Sequence, residues 1–311
     1  MLHWTLSSLG RLLGRGKLSI LIYHQVLAEP DPMRPSEPTV DTFDWQMALI
    51  AKYFTPISLD DAVKGLAENN LPANALCVTF DDGYVNNLTL AQPVLEKYAI
   101  PATVYVATGF SDGTNMWNDR VIHLFADQAR KSLSLNGEHV ELGDWEQRRE
   151  LAYGWLKKLK HLPIEKRLQG VSALYEENNA SEQESLMMTP QQVRALSEKG
   201  VTIGAHTVNH PILKVLNAEQ QKREIVQSKA QLEEWTDKEV RHFAYPNGVV
   251  GTDLDELAVT AVKEAGFASA VVTNWGVSTR QTSPWMLQRF TPWDRSPGRF
   301  HLRLWKNQAG L

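Results

Sequence analysis

The sequence predicts an α/β fold built on a parallel sheet, and three observations support this prediction. Short apolar runs typical of buried strands alternate with longer stretches that have a helical pattern. Glycine, proline and helix-capping residues separate the two kinds of stretch. Polar side chains gather where the predicted strands end, which is the edge at which α/β proteins place their functional sites. Six or seven strands are expected, so the sheet is either open or closed into a barrel.

The first half of the chain supplies three of these strands, and predicted helices connect them. The strands are expected at residues 18–24, 75–80 and 102–108. The helices are expected at residues 41–54, 58–69 and 88–100. Ser58, followed by Asp61 three residues later, is typical of a helix N-terminus. Pro93 must lie near the first turn of its helix or kink it.

The alternation of strands and helices breaks between residues 115 and 186. This stretch is polar and mostly helical, as in DWEQRRELAYGWLKKLKHL. We therefore predict one domain at 18–311 with a mainly helical insertion at about 115–186, preceded by an N-terminal segment at 1–17. Trp145 and Trp155 of the insertion are expected to belong to its local core.

The alternation resumes with clear signals at helix ends. Thr189 can cap a helix, Pro190 suits its first position and Gly200 suits its end. Asn217 is expected to open a long helix, and a shorter one should end at Gly266. The remaining strands are expected at residues 201–207, 240–246 and 268–273. Repeated strand–helix units of this kind imply a parallel sheet.

Composition and charge exclude several classes of protein. The chain of 311 residues has a formal net charge of −4, so it lacks the basic field that would attract nucleic acid. Its single cysteine, Cys77, excludes an intramolecular disulfide and a thiolate metal cluster. No apolar stretch reaches the length of a membrane span. The mildly amphipathic segment 1–17 is expected to make at most weak contact with a membrane surface. Because it has no signal-peptide pattern, we expect a cytoplasmic location or one at the cytoplasmic membrane surface.

Polar residues follow four of the predicted strands. They are His24, the adjacent Asp81 and Asp82, the pair His206 and His210, and residues 243–248. Each feature alone is a weak signal, because adjacent acids are common in solvated turns and two histidines four residues apart arise by chance. Their recurrence at one end of one predicted sheet favours a functional site.

The residue types at this edge suit a catalytic metal ion. His206 and His210, four residues apart, can present two imidazoles to one ion, and one carboxylate beside them completes the set. Three protein ligands leave positions open for water and substrate, which is typical of a catalytic site. The second carboxylate can then accept a proton from the activated water. A bound dication would also offset the repulsion between Asp81 and Asp82.

The motifs TFDDGY, HTVNH and FAYPNG, in this order, resemble those of the polysaccharide deacetylase family, also called the NodB homology domain or carbohydrate esterase family 4. The resemblance covers most of residues 20–292 apart from the insertion. It is strongest to a subgroup with an N-terminal YH motif, as in poly-N-acetylglucosamine deacetylases. It implies a distorted (β/α)7 barrel, and a carbohydrate substrate whose N-acetyl groups are hydrolysed. It also implies one divalent metal ion, with zinc expected first and cobalt, nickel, manganese or iron as alternatives.

The resemblance also implies roles for particular residues. Asp81 takes the position of the catalytic base. Asp82, His206 and His210 take the positions of the metal ligands. Asn247 stands where the family has a tyrosine whose backbone N–H helps to hold the oxyanion, so a backbone donor is kept and the ring is lost.

One family motif is absent from this sequence. The late leucine-x-histidine motif that supplies the general acid is replaced by MLQRF, with Arg289 near the place of the histidine. His24 is therefore our candidate for the general acid, and His301 is a second candidate. Arg289 is expected to orient or electrostatically tune Asp81.

Other functions remain open at this point. A deacetylase-like domain that binds glycan without catalysis would explain the missing histidine, and an O-acetyl esterase would use the same residues. Two histidines and a carboxylate also form the site of non-haem Fe(II) oxygenases, although that chemistry does not require Asp81. The sequence does not identify the acetylated glycan, and we expect only that the protein acts in exopolysaccharide or cell-envelope metabolism. Tyr84 and Trp117 could line a sugar groove as exposed aromatic residues, but for each of them we favour simple packing.

Overall fold

The computed structural model describes residues 2–310, which contain eleven α-helices and nine strands. Met1 and Leu311, at the outer ends of the predicted segments, lie outside the described residues. The strands are β1 (Ser19–Tyr23), β2 (Thr55–Pro56), β3 (Ala75–Phe80), β4 (Ala102–Val106), β5 (Ser132–Leu135), β6 (Glu138–Glu141), β7 (Thr202–Ala205), β8 (His242–Ala244) and β9 (Ser269–Val271). The helices are α1 (Leu2–Leu13), α2 (Val40–Tyr53), α3 (Leu59–Glu68), α4 (Gln92–Lys97), α5 (Trp117–Ala126), α6 (Trp145–Leu159), α7 (Ile164–Glu177), α8 (Pro190–Glu198), α9 (Ala218–Thr236), α10 (Glu256–Glu264) and α11 (Pro297–Ala309).

A curled parallel sheet carries the fold. Its hydrogen-bonded order is β1-β3-β4-β7-β8-β9, with β2 paired to β3. Residues 287–290 bridge its two edges, because Val272 N–H donates to Leu287 O at 2.9 Å and Phe290 N–H donates to Ile20 O at 3.0 Å. We call residues 287–290 the closing segment. The predicted α/β architecture, a distorted (β/α)7 barrel, is confirmed.

The two faces of β3 show how the apolar run in the sequence becomes a barrel wall. Leu76, Val78 and Phe80 pack in the core between the sheet and its helices, whereas Ala75 and Cys77 pack in the barrel interior. Side chains alternate between faces along a strand, so the next inward positions after Cys77 are Thr79 and Asp81. The strand therefore carries Asp81 to the top of the barrel interior.

Several helices begin or end at residues that the sequence indicated, whereas the helix expected at 88–100 is a π-helical turn at Asn87–Ala91 followed by the shorter α4. Thr189 and Asn217 each form a capping box, with the side chain of the third helical residue returning to the cap backbone. Ser58 accepts a hydrogen bond from Asp61 N–H at 3.1 Å. Pro93 lies in the first turn of α4, where its missing N–H costs little. Gly266, with φ of 78°, follows α10.

Between the fourth and seventh strands the chain leaves the barrel and builds a second core. Helices α5, α6 and α7 pack together there with the antiparallel hairpin β5–β6, which the sequence had not predicted. Trp155 is buried in this cluster and Trp145 packs partly buried against it. The boundaries proposed for the domain, its insertion and the N-terminal segment remain predictions.

Helix α1 packs against the barrel rather than extending from it. It contacts α11 and α2, and Leu6 and Ser7 are buried. Trp4 on the same helix is 66% exposed. Among residues 2–310, the structure contains no helix with both the length and the apolar character needed to cross a membrane.

Candidate active site

The ends of β1, β3, β7 and β8 open into one cleft of about 340 Å³. Six of the seven site residues predicted from the sequence line it: His24, Asp81, Asp82, His206, His210 and Asn247. The seventh, Arg289, is fully buried and contacts Asp81 directly. The structure thus brings all seven together, while their individual roles remain predictions.

Asp82, His206 and His210 form a group that fits a metal ion. Their candidate ligand atoms all lie within 4.8 Å of one another. Asp82 Oδ1 is 3.5 Å from His206 Nε2 and 3.4 Å from His210 Nε2. His206 Nδ1 lies 2.7 Å from Ala244 O, so it donates its proton there and leaves Nε2 with a free lone pair. Asp82 Oδ1 is buried and has no hydrogen-bond partner among the described residues, a costly arrangement that a cation would relieve.

The pKa values of this group fit the same interpretation. Burial lowers the pKa of His206 to about 4 and holds the pKa of His210 well below its ordinary value, so both imidazoles are neutral. Burial raises the pKa of Asp82 to about 7, and the nearby charge of Asp81 adds to the shift. Neutral imidazoles and an ionised carboxylate are the forms that bind metals, and a dication would keep Asp82 ionised.

Backbone strain is concentrated around the same cleft. Three of its lining residues have left-handed backbone conformations, with φ of 76° at Asp82, 48° at His210 and 58° at Asn247, and so does Thr207 beside His206, with φ of 65°. Each such conformation costs about 1–3 kcal/mol and persists only where the surrounding structure enforces it. Gly83 continues the turn at φ of 90°, where an added Cβ would lie 2.9 Å from Val106 Cγ1. Close packing therefore explains the glycine after the two aspartates.

Two buried charged residues hold the loop that joins His206 to His210. Glu224 Oε2 of α9 accepts hydrogen bonds from Val208 N–H at 2.9 Å and Asn209 N–H at 2.8 Å. Arg167 Nη2 of α7 donates to Asn209 O at 3.0 Å, and its guanidinium lies 4.9 Å from the centre of the Trp117 ring. Sequence reasoning missed both, because nothing near either residue in the sequence indicates which loop it contacts.

Asp81 is held by a two-pronged ion pair with Arg289. Arg289 Nη1 donates to Asp81 Oδ1 at 2.7 Å and Nη2 donates to Oδ2 at 2.8 Å. Arg289 Nη1 also lies 3.2 Å from Thr79 Oγ1. Burial alone would raise the pKa of Asp81, but the charge and hydrogen bonds of Arg289 outweigh it and hold that pKa below its ordinary value. Asp81 is therefore ionised at any physiological pH.

His24 lies at the end of β1 in a strongly negative environment. Burial alone would lower the pKa of its imidazole, but Asp82, Glu37 and Asp81 together raise it above its ordinary value. Its backbone carbonyl accepts a hydrogen bond from Asn87 Nδ2 at 2.9 Å, which fixes the turn that follows β1. His24 therefore lines the same cleft as Asp81 while having the opposite preference for a proton.

The structure also places three other residues that the sequence singled out. Tyr84 and Trp117 are buried, which agrees with the favoured interpretation of packing, and Tyr84 lines the cleft from its buried position. The Tyr84 hydroxyl donates to Asp119 Oδ2 at 2.9 Å, and the Trp117 ring packs under Arg167. His301 lies on α11, 5.0 Å from the His3 ring between centroids, and it is not among the residues that line the cleft.

The region after β4 also contributes to the cleft. Asn118 and Asp119 at the start of α5 line it, as does Tyr153 of α6, which is 49% exposed. Arg34 Nη2 donates to Asp119 Oδ1 at 2.7 Å and ties this wall to the loop after β1. Tyr153 is thus an aromatic side chain at the cleft that the sequence did not single out.

Comparison with known proteins gives one family. The family model described as polysaccharide deacetylase matches residues 68–270. YxkH of Bacillus subtilis (strain 168), whose name places it among polysaccharide deacetylases, is 21% identical over 274 residues, covering 88% of this chain and 70% of YxkH.

Solved structures with similar folds are also known. The Streptococcus pyogenes deacetylase PplD in complex with acetate superposes with a TM-score of 0.62 at 19% identity, covering 93% of this chain and 97% of PplD. IcaB from Ammonifex degensii superposes with a TM-score of 0.59 at 18% identity, with the same two coverages. At these identities the two structures show that the fold is shared.

Proposed function

Because the chain belongs to the polysaccharide deacetylase family, we propose that it hydrolyses N-acetyl groups on the amino sugars of a polysaccharide or its precursor. The observation that carries this proposal is the arrangement of Asp82, His206 and His210 beside the ionised Asp81 in one cleft. A metal-binding group and a separate carboxylate are the two components that metal-assisted hydrolysis needs.

Asp82, His206 and His210 would hold the metal ion. When bound, the ion would act as a Lewis acid toward the acetyl carbonyl and lower the pKa of a bound water. Zinc suits two imidazoles and one carboxylate, and we propose it ahead of cobalt, nickel, manganese or iron.

The proton transfers are assigned to residues of this chain. Asp81 takes a proton from the attacking water, and Arg289 keeps the carboxylate oriented toward the cleft. Protonated His24 gives a proton to the amine nitrogen as the carbon–nitrogen bond breaks. The products are acetate and a free amino sugar. The backbone N–H of Asn247 donates to the oxyanion formed between these steps.

The opposite pKa shifts of Asp81 and His24 support this division of roles. A base must be unprotonated and an acid protonated in the same enzyme molecule at the working pH. Arg289 keeps Asp81 ionised even in mild acid, while the charges of Asp82, Glu37 and Asp81 raise the pKa of the His24 imidazole above its ordinary value. The ion pair also makes Asp81 a weaker base than an unpaired carboxylate.

Two alternatives within the family use the same cleft. An O-acetyl esterase would release an alcohol instead of an amine and would depend less on His24, because an alcohol leaves with less help from an acid. A glycan-binding protein without catalysis is favoured only by the missing late histidine. Membership of the family argues against the Fe(II) oxygenase alternative.

Acetate release from a panel of acetylated glycans tests the proposal. Protein purified without chelator is assayed on N-acetylated glucosamine oligomers, on peptidoglycan fragments and on an O-acetylated xylan, with bound metal measured in parallel. We expect acetate from at least one N-acetylated substrate, and loss of activity after chelation that a divalent ion restores. If metal-loaded protein releases acetate from none of them, the proposed activity is wrong.

We further propose that the reaction serves exopolysaccharide or cell-envelope metabolism. The location in the cytoplasm or at its membrane surface, the weak membrane contact through residues 1–17 and the similarity to the YH subgroup remain predictions. Fractionation of cells that produce the full chain, followed by detection in soluble and membrane fractions, tests the location directly.

A further inference from the structure

Two further clefts continue from the candidate active site. The active-site cleft shares Arg34, Ser36 and Glu37 with a second cleft of about 350 Å³. Five prolines line that second cleft: Pro30, Pro32, Pro35, Pro38 and Pro292. It reaches Trp293 and Asp294, and Asp294 also lines a third cleft of about 430 Å³ with Trp275. Neighbouring clefts share lining residues and therefore lie side by side, and we call the three together the extended groove.

Two exposed tryptophans stand side by side at the far end of this groove. Trp275 and Trp293 are each 54% exposed, and their ring centres are 5.7 Å apart at an angle of 36°. The Arg303 guanidinium lies 5.8 Å from the Trp275 ring centre and 5.9 Å from that of Trp293. Arg303 is in turn ion-paired with Asp294. The two rings are therefore held in place before any ligand arrives, at the cost of leaving a large apolar surface in water.

The shape and chemistry of this pair suit a carbohydrate chain. A flat aromatic face offers the apolar contact that the C–H face of a sugar ring needs, and two adjacent rings can contact two consecutive sugars. The proline-lined part of the groove between the tryptophans and the candidate active site is stiff, because proline fixes its own backbone torsion. A chain bound along the groove would lose little additional protein entropy.

The charge near the tryptophans points to a subclass of glycan. Arg299 and Lys306 line the third cleft, are exposed, and have no ion-pair partner among the residues that the structure describes. The chain as a whole has a net charge of −4, so two free cations in one cleft do not follow from the composition. Carboxylate or phosphate groups on a glycan would pair with them.

We propose that Trp275 and Trp293 form a distal binding site for the glycan chain, beyond the sugar that is deacetylated, and that Arg299 and Lys306 favour chains with acidic groups. This inference rests on the proposed function and makes the substrate an extended polymer rather than a single sugar. Activity should therefore rise with chain length until the chain spans the extended groove.

The test compares short and long substrates in tryptophan variants. For Trp275→Ala with Trp293→Ala, kcat/KM on a long N-acetylated glucosamine oligomer is expected to fall about tenfold or more, as for the loss of about 1.4 kcal/mol of stacking. Activity on the N-acetylated disaccharide should not change. The Phe variants at both positions should keep most of the activity on long chains. Trp4→Ala, which removes an exposed tryptophan outside the groove, is the matched control.

A second arm tests the charges. Arg299→Gln with Lys306→Gln should weaken binding of a carboxylated or phosphorylated oligosaccharide and leave the neutral oligomer unaffected. The difference should shrink as salt concentration rises, because exposed ion pairs are screened. Equal effects on neutral and acidic oligosaccharides would overturn the preference for acidic chains.

Other outcomes would overturn the distal site itself. Equal loss of activity on disaccharide and long oligomer in the tryptophan variants would show a structural effect only. A dimer of the native chain that dissociates on Trp293→Ala would make this surface a protein interface. Direct titration of the native chain with acidic and neutral polymers measures glycan binding independently of acetate release. It therefore tests the distal site separately from the proposed deacetylation. Binding that depends on the tryptophans without acetate release would leave the distal site standing and overturn the proposed catalysis.

Discussion

Two buried histidines on neighbouring strands of the barrel have similar local contacts but different surroundings. His206 follows β7 at the upper edge of the sheet, with Nδ1 2.7 Å from Ala244 O and Nε2 3.5 Å from Asp82. His242 begins β8 at the opposite edge, with Nδ1 2.9 Å from Ser269 Oγ and Nε2 3.3 Å from Asp60. Each is a histidine fixed through one nitrogen and facing a carboxylate through the other.

The surroundings decide which pair is a candidate for chemistry. Beside His206 lie a second histidine, a second carboxylate, strained backbone and an open cleft. Beside His242 the carboxylate of Asp60 is 44% exposed and also pairs with Arg241 at 3.2 Å. The contacts with His242 and Arg241 lower the pKa of Asp60. A histidine beside an aspartate is therefore not enough to indicate a site, and the convergence of several such groups in one cleft is the stronger evidence.

The largest expected difference is in metal binding. His206→Ala should lose the metal ion and lower acetate release by at least about 100-fold, because a ligand is removed. His242→Ala should keep metal and activity and lower only the melting temperature, because it leaves a buried hydroxyl without its partner. Metal content by elemental analysis, acetate release and thermal unfolding are measured on both. The comparison fails if His206→Ala retains a full equivalent of metal.

The next largest difference is expected between Asp81 and Asp82, in whether the substituted protein keeps its metal ion. Asp81→Asn should keep the metal ion but reduce kcat by about 10²–10⁴-fold, because the general base is lost. Asp82→Asn should lose both metal and activity. Asp60→Asn, at the opposite edge, is the control and should affect neither. Loss of metal from Asp81→Asn to the same extent as from Asp82→Asn would contradict the division between base and ligand.

The pH dependence tests His24. Its folded pKa is raised, so the protonated form persists above the ordinary pKa of the imidazole and is lost as pH rises through the folded value. The kcat/KM should therefore fall on the alkaline side of the profile as His24 loses its proton, and any stability that the charge contributes should disappear over the same range. His24→Gln should lower kcat by about 10²-fold and remove this limb. An unchanged profile in His24→Gln would assign the acid to another group.

The smallest expected effect lies one contact away from the proposed ligands. Glu224→Gln keeps the shape of the side chain but weakens the acceptor for the N–H groups of Val208 and Asn209. Metal affinity should fall about 10-fold, as is typical when a residue that orients a ligand is altered. Glu234→Gln on the same helix is exposed and should leave the affinity unchanged. Competition with a metal-binding dye measures both, and equal affinities would remove Glu224 from the site.

The barrel frame could be predicted because its signals are local. Apolar runs, the caps at Thr189 and Asn217 and the polar residues after each strand are all read within a few neighbouring positions. The site residues could be proposed for the same reason, since each follows a strand and parallel strands end at a common edge.

The features that sequence reasoning missed depend on distant contacts. The closing segment is too short and irregular to be recognised as a strand, and its pairing partners lie at opposite ends of the chain. Arg167 of α7 and Glu224 of α9 both hydrogen-bond to the loop between His206 and His210, and no local pattern in the sequence indicates these contacts. Packing was favoured for Tyr84 and Trp117, and their burial agrees with it, but the contacts with Asp119 and Arg167 that hold them could not be read from the sequence.

The closing segment has a consequence for how the protein matures. Residues 287–290 complete the ring between β9 and β1, and the same four residues include Arg289, the partner of Asp81. During synthesis β1 and β3 are made early, so Asp81 must wait for nearly the whole chain before it has its counter-ion. A nascent or C-terminally shortened chain therefore carries an unpaired acid in an unclosed barrel. Closure of the barrel and the pairing of Asp81 with Arg289 therefore become the same event.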